Sequence, residues 1–254
     1  MVDLEFRSGD GRGTVEPIGT NRLIAAVQGA TSTLLSTVEA MDEVTVHAPS
    51  LLPGWKRAHV ITHLARHADG CVNLLTWAHT GVEHPMYPSA EDRDADIAEG
   101  AHRSHRLLFE DLAASAGRFF EAARGLHAQD WHTEVVISPG KPVPAYEVLR
   151  RRLLEVRVHL VDLDYGPGFA DIPRGDLETL LNDTVRQLVG RPDVPPLSMT
   201  IEFDDGSSTV WELGEARNER HRVRGRADRV LGWLLGRTGP DELTGSPPTM
   251  PPWL

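Results

Sequence analysis

The apolar residues of this 254-residue chain change their spacing near residue 167, and that change constrains the fold more than any other feature. Before it, apolar side chains recur every three or four residues over four long segments, as is typical of amphipathic helices. The segments span roughly residues 21–41, 57–80, 92–124 and 145–164. We expect these four helices to form an antiparallel bundle around one apolar core.

The last third of the chain predicts a small α+β domain. After a helix expected over about residues 176–188, residues 197–203 alternate between apolar and polar side chains at period two. Asp204-Asp205-Gly206 is typical of a hairpin turn, and residues 209–213 are expected to return as the paired strand. The candidate third strand and last helix are residues 221–225 and 227–237.

We expect the chain to consist of a flexible leader over residues 1–18, a four-helix domain over residues 19–168 and the α+β domain over residues 169–254. The leader lacks the apolar segment of a signal peptide. No apolar run in the sequence has the length needed to span a membrane. These features predict a cytoplasmic protein with no membrane partner.

The charge balance narrows the range of partners. The chain carries 26 Lys and Arg residues against 37 Asp and Glu residues, a formal charge of −11. An acidic surface argues against a nucleic-acid partner, because phosphate binding needs clustered cations. The run Arg150-Arg151-Arg152 is the main local exception, and we interpret it as a solvated helix face and not a phosphate site.

The chain has a single cysteine, Cys71. One cysteine excludes an internal disulfide and a zinc site made only of thiolates, and it fits a reducing compartment. The apolar neighbours of Cys71 predict a buried thiol with a packing role and not a nucleophile.

Three potential metal ligands lie on two of the predicted helices. Glu155 and His159 are four residues apart and therefore share one helix face, which the local pattern directs toward the core. His63 lies at a core-facing position on the second helix. Two histidines and one carboxylate are the ligand set of an open catalytic metal site, whose fourth position is left for water or substrate.

Spacing alone leaves alternatives open at this site. His59, His63 and His67 follow one another at intervals of four residues, so spacing does not decide which of them is the ligand. A lone histidine on a helix is more often a polar-face or hydrogen-bonded core residue than a ligand. Arg152, three residues before Glu155, is a candidate partner for that carboxylate in place of a metal.

Other catalytic motifs give weaker support. The sequence has no Gly-x-Ser-x-Gly elbow for a serine hydrolase and no Walker loop. It also has no Gly-x-Gly-x-x-Gly after a predicted strand, which disfavours a dinucleotide site. The candidate metal site is therefore the strongest indication of function in this sequence.

The same residues carry a resemblance to a known family. The segment LLPGWKRAHVITHLA, residues 51–65, resembles the second-helix motif of mycothiol-dependent maleylpyruvate isomerases, members of the DinB-like metal-binding superfamily. Residues 151–163, which include Glu155, His159 and Asp162, resemble the fourth-helix motif. Pro85-Met86-Tyr87, Gly236-Arg237 and the terminal Pro-Pro-Trp-Leu also fit the family. The Pro-Met-Tyr loop, the second domain and the C-terminal tail are more specific to its isomerase branch.

The resemblance implies a DinB-like four-helix domain with one zinc ion held by His63, Glu155 and His159, and a small α+β domain that closes over the site. It also implies that Arg237 reaches the active site and binds a substrate carboxylate. Without the resemblance, Arg237 is equally a cation near a helix C-terminus. The chain departs from the family pattern at His67, where asparagine is common.

The activity that the resemblance implies is the cis–trans isomerisation of maleylpyruvate to fumarylpyruvate with zinc and mycothiol as cofactors. The metal would lower the pKa of the mycothiol thiol, and the thiolate would add to the double bond and leave after rotation. Asp162 is a candidate acceptor that orients His159 or His63, or it ends its helix in solvent. The expected partners are a low-molecular-weight thiol and a small-molecule substrate, and the expected state is a monomer or weak homo-oligomer.

Two other functions compete with the isomerase. A mycothiol S-transferase would use the same metal and thiolate but leave the thiol on another electrophile, as in detoxification or natural-product biosynthesis. A non-catalytic zinc-binding regulatory module is the alternative of another class. An open coordination position argues against it, because a regulator has no need of one.

Overall fold

The computed structural model describes residues 17–137, 141–214 and 220–253. Its N-terminal part contains the helices α1 (Pro17–Glu39), α2 (Glu43–Val46), α3 (Arg57–Thr80), α4 (Ala90–Gly100), α5 (His105–Gly125) and α6 (Tyr146–Asp162). The short strands β1 (Glu134–Val135) and β2 (Val143–Pro144) pair antiparallel before α6. The expected leader lies outside the described residues apart from its last two, which belong to α1.

The long helices α1, α3, α5 and α6 form the four-helix bundle. α3 packs against α5 and α6, and α1 packs against the same two helices. Their apolar stripes meet in one core, whose fully buried members include Leu34, Ile61, Leu108, Leu112 and Leu149. Burying each such side chain stabilises the fold by about 1.5–3 kcal/mol. The close-packed core therefore gives α3 and α6 fixed relative positions.

The start of α3 is also tied to the end of α6. Arg57, the first residue of α3, donates from its guanidinium to the carbonyls of Leu163 and Asp164 just beyond α6. Leu51, in the turn before α3, donates its backbone N–H to the carbonyl of Asp162 at 2.9 Å. These bonds satisfy carbonyls that the end of a helix leaves without partners. They join the two helices that carry the predicted ligands.

The single helix expected over residues 92–124 is wrong, because the structure divides it into α4 and α5. Ser104 has an extended backbone, with ψ of 156°, and precedes α5 as its N-cap. In α4 only Ile97 and Gly100 are buried, and the helix packs on α3. A Cβ at Gly100 would collide with the side chain of Thr62 on α3. The glycine therefore allows α4 to pack closely against α3.

The C-terminal part is the small α+β domain that the alternation predicts. It contains α7 (Arg174–Leu188), β3 (Leu197–Glu202), β4 (Ser208–Leu213), β5 (His221–Arg226), α8 (Ala227–Leu234) and β6 (Thr244–Gly245). The sheet has the order β4-β3-β5-β6, with β3 antiparallel to β4 and parallel to β5. Every second side chain of β3 is buried, and Gly206 turns the hairpin with a φ of 80°. The α+β class with a helical bundle is confirmed.

α7 connects the two parts, because it packs against both α6 and α8. The domain boundary expected at residue 168 stays a prediction. Among the residues that the structure describes, no helix combines the length and the apolar character that crossing a membrane requires.

Candidate metal centre

α3 and α6 bring His63, Glu155 and His159 together inside the bundle. The Nε2 atom of His63 lies 2.9 Å from Oε2 of Glu155, and Nε2 of His159 lies 3.2 Å from the same oxygen. One potential ligand atom from each residue lies within 4.8 Å of the other two. The side chains of His63 and His159 are 6% and 14% exposed, so the cluster is most accessible beside His159.

The donor atoms and their spacing fit a zinc ion. Ligand atoms about 2.1 Å from a tetrahedral zinc lie about 3.4 Å apart, close to the two separations in this cluster. Two imidazole nitrogens and one carboxylate oxygen are also the donor types of catalytic zinc sites. The three residues therefore form a candidate zinc site, and three protein ligands leave the fourth position of a tetrahedral ion for another ligand.

Contacts at the N-terminal turns of α3 position His63. The backbone N–H of Lys56 donates to Nδ1 of His59 at 3.2 Å, so His59 acts as a cap at the start of the helix. The ring of Trp55 packs near both histidines, with centroid distances of 6.0 Å to His59 and 5.9 Å to His63. Burial lowers the pKa of His63, which favours the neutral imidazole that binding to a metal requires.

A chain of hydrogen bonds extends from His159 to the C-terminal domain. Nδ1 of His159 lies 2.9 Å from Oδ2 of Asp162, whose side chain is fully buried. Arg237, which follows α8, donates from Nε and NH2 to the two oxygens of Asp162 at 2.9 and 3.0 Å. Asp162 therefore accepts from His159 inside the protein and does not end its helix in solvent. An outer acceptor of this kind fixes the tautomer and the ring orientation of a metal-binding histidine.

The protonation states of the cluster follow from these contacts. Burial alone would lower the pKa of His159, but its hydrogen bonds to Asp162 and Glu155 outweigh burial and raise the pKa to about 9. Burial alone would raise the pKa of Glu155, but the electrostatic effect of the nearby His67 and the hydrogen bonds to His159 and His63 hold it well below its usual value. Without a metal, an anionic Glu155 thus faces a cationic His159 at neutral pH. A metal ion would replace that proton.

The run Arg150-Arg151-Arg152 is not the solvated face that we expected. Arg151 lies 2.9 Å from Oε1 of Glu155, so Arg151, and not Arg152, is the cation that pairs with this carboxylate. Arg152 is fully buried and donates to the carbonyl of Leu64 at 2.8 Å. The expectation failed because α1, α3 and α7 all pack on α6. The spacing of four residues between Arg151 and Glu155 is the signal that could have found their pair.

His67 lies one turn beyond His63 and belongs to a different cluster. Its Nδ1 atom is 3.3 Å from NH1 of Arg152 and 3.5 Å from Sγ of Cys71. Cys71 is buried, as predicted. Burial raises the pKa of Cys71 to about 12, so its thiol stays protonated and is a poor nucleophile.

Comparisons with known proteins place the chain in a family. A protein-family model described as "Mycothiol maleylpyruvate isomerase N-terminal domain" matches residues 27–164. A crystal structure of the mycothiol-dependent maleylpyruvate isomerase is 30% identical, with a TM-score of 0.83, over 92% of this chain and 97% of that one. A structure of a histidine-to-alanine mutant of the mycothiol-dependent isomerase matches over the same shares at 30% identity, with a TM-score of 0.80.

A more distant structure shares the fold. YfiT from Bacillus subtilis, described as a probable metal-dependent hydrolase with an unusual four-helix bundle topology, is 16% identical, with a TM-score of 0.50. That match covers 61% of this chain and 90% of YfiT. A comparison with curated protein sequences finds no match. On the family match over more than half of its length and the isomerase match over nearly all of it, the chain belongs to the mycothiol-dependent maleylpyruvate isomerase family of enzymes.

Proposed function

We propose that this chain isomerises maleylpyruvate to fumarylpyruvate by reversible addition of mycothiol, at a zinc ion held by His63, Glu155 and His159. The observation that carries the proposal is the convergence of these three side chains in a chain 30% identical to the mycothiol-dependent isomerase. Zinc at this site would supply an open fourth position and lower the pKa of a bound thiol, so that thiolate forms at neutral pH.

The neighbouring residues prepare the ligands for this role. Arg151 engages Oε1 of Glu155 and leaves Oε2 between the two imidazoles. Asp162 accepts a hydrogen bond from Nδ1 of His159, so the lone pair of Nε2 is directed to the centre. The low exposure of the cluster limits competing water, which strengthens each electrostatic interaction in it.

Arg237 is proposed to bind a carboxylate of the substrate. A guanidinium has five N–H groups, and Arg237 uses three of them on Asp162 and the carbonyl of Leu235. Two N–H groups are then left for a ligand, on a side chain that is 18% exposed. Asp162 holds the planar group in one orientation, and an oriented guanidinium suits the two oxygens of a carboxylate.

Metal analysis tests the ligand set. We expect about one zinc per purified chain, and a loss of most of it in His63→Ala, because removing one of three protein ligands leaves two. His59→Ala is the matched control, since it removes a histidine one turn away on the same helix. Equal zinc content in the two variants would show that His63 is not a ligand.

Liquid chromatography coupled to mass spectrometry tests the activity, because the cis and trans isomers have the same mass and must be separated before they are detected. With maleylpyruvate in large excess over mycothiol, an isomerase regenerates the thiol and gives many molecules of fumarylpyruvate per mycothiol. A stable adduct formed once per mycothiol would instead identify an S-transferase, which uses the same site on a different electrophile. Zinc-loaded protein with neither product nor adduct would refute both activities for these substrates.

The role of Arg237 is tested by Arg237→Lys, which keeps the charge and loses the fork. We expect the KM for maleylpyruvate to rise by about tenfold, the loss of one charged hydrogen bond, with zinc retained. An unchanged KM would remove Arg237 from substrate binding.

A further inference from the structure

Arg151 is an arginine of α6 that has no acid of its own. Two other arginines of this helix pair with acids of α7, Arg150 at 2.7 Å and Arg157 at 2.6 Å. Among the described residues, Glu155 is the only acid within 4.0 Å of Arg151, and its Oε1 atom lies 2.9 Å from NH2 of the arginine. Glu155 is also a candidate metal ligand, so its single negative charge serves two cations.

The charges around the metal cluster leave a positive surplus beside Arg151. Arg237 and Asp162 form an ion pair and balance each other. The two histidines of the cluster bind a metal as neutral imidazoles. With a divalent ion at the cluster, the one charge of Glu155 cannot balance both that ion and Arg151. The site therefore favours ligands that carry more than one negative charge.

The guanidinium of Arg151 is accessible to such a ligand. The side chain of Arg151 is 31% exposed, whereas that of Glu155 is 10% exposed. Only the NH2 group of Arg151 faces Glu155. In the part of the chain that the structure describes, its Nε and NH1 groups have no acceptor, and neither of them is enclosed. Arg151 therefore contacts a candidate metal ligand with one group and presents others to solvent at the edge of the cluster.

Arg151 and Arg237 lie on either side of the metal cluster along α6. Arg151, Glu155, His159 and Asp162 share one face of this helix, within an arc of about 80°. About 16 Å of helix axis separate Arg151 from Asp162, and each guanidinium leans toward the cluster, Arg151 to Glu155 and Arg237 to Asp162. The two cations therefore bracket the cluster, Arg151 on its N-terminal side along α6 and Arg237 on its C-terminal side.

We propose that Arg151 binds a second carboxylate of the substrate, so that Arg151 and Arg237 together select short dicarboxylates. The inference rests on the proposed function, because maleylpyruvate is a short chain with a carboxylate at each end. One carboxylate binds each guanidinium, which holds the carbon chain between them beside the cluster. A ligand with a single carboxylate engages only one of the two cations and binds more weakly.

Isothermal titration calorimetry of the zinc-loaded protein with two unreactive probes tests the inference. Succinylpyruvate has two carboxylates and lacks the reactive double bond, and acetylpyruvate has the same dioxo group but only one carboxylate. The wild-type protein should bind succinylpyruvate about tenfold more tightly, the contribution of one charged hydrogen bond. Arg151→Met should abolish this preference, and Arg106→Met, which removes an exposed charge on α5, should keep it. Equal affinities of the wild type for the two probes, or an unchanged preference in Arg151→Met, would overturn the inference.

These outcomes are separate from the proposed isomerase activity, because neither probe reacts. A preference that depends on Arg151, in a protein that does not turn over maleylpyruvate, would refute the activity and keep the dicarboxylate site. Metal analysis shows whether Arg151→Met retains zinc. If it does not, or does not fold, crystals of the wild-type chain with zinc and succinylpyruvate decide. A carboxylate within hydrogen-bond distance of the guanidinium of Arg151 is expected, and its absence from that position would overturn the inference.

Discussion

Replacing Asp162 with asparagine tests whether the acid behind His159 holds that ring for metal binding. Asp162 is fully buried and lies 2.9 Å from Nδ1 of His159. Asparagine has nearly the same shape, but its side chain is neutral. The substitution therefore removes the charge from the hydrogen bond and leaves the backbone of α6 unchanged.

The size of the effect follows from the bond that is weakened. A hydrogen bond to a charged group contributes about 1.5–3 kcal/mol, and each 1.4 kcal/mol corresponds to about a factor of ten in affinity. We therefore expect Asp162→Asn to weaken zinc binding by about 10–100-fold, the range typical of outer acceptors in metal sites. Competition for zinc with a chromogenic chelator, on metal-free protein at constant pH, measures the ratio.

Asp176→Asn is the matched control for this variant. Asp176 also accepts two hydrogen bonds from a buried arginine of α6, at 2.9 and 2.6 Å from Arg157, but it contacts none of the candidate ligands. Both variants should lose about 3 kcal/mol of unfolding free energy in urea, because each leaves an arginine without its acid. Only Asp162→Asn should lose zinc affinity. Equal zinc affinities would refute the argument that Asp162 positions His159.

The packing and the pKa values also predict proton release on zinc binding, the effects of two glycine substitutions and the reactivity of Cys71. Zinc uptake at pH 8 should release about one proton per chain, measured with an indicator dye, because the pKa of His159 is raised to about 9 without metal. In that metal-free protein the stability contributed by His159 is complete below its ordinary pKa of 6.5 and is lost as the pH rises through about 9. Gly100→Ala should destabilise the fold by about 1–3 kcal/mol in urea, because its Cβ meets Thr62. Gly29→Ala, on the open side of α1, should instead stabilise it by about 0.5–1 kcal/mol. Cys71 should react with a thiol reagent about 1,000-fold more slowly in the native than in the urea-unfolded protein, as expected from a pKa raised from 9.0 to about 12.

Most of the helices and the candidate ligands could be predicted because local spacing determines them, although spacing missed the break between α4 and α5. Glu155 and His159 share a face through helix geometry alone, and the structure places that face opposite His63. Spacing could not choose between His59 and His63. The choice depends on where α3 begins, since His59 lies in the first turn and its ring nitrogen accepts the bond from the backbone of Lys56.

Contacts between distant parts of the chain could not be predicted in this way. Asp162 and Arg237 are 75 residues apart, and their hydrogen bonds depend on how α8 is placed relative to α6. The burial of Arg152 could not be predicted either, because a run of charged residues is usually solvated. Only the packing of α1, α3 and α7 around α6 shows that this side chain is enclosed. Both cases concern charged side chains whose partners lie far away in the sequence.

The link between Asp162 and Arg237 has a consequence for how the two parts of the chain depend on each other. Arg237 donates its backbone N–H to the carbonyl of Gly232 in α8 at 2.8 Å, which holds the residue just beyond that helix. Its guanidinium binds Asp162, and Asp162 binds His159. Each bond in this series is charge-assisted except the first, so the series is stiff and strong. The orientation of a candidate metal ligand in the bundle thus depends on the position of a helix in the C-terminal domain, and a shift of α8 would alter both the ligand and the group proposed to bind substrate.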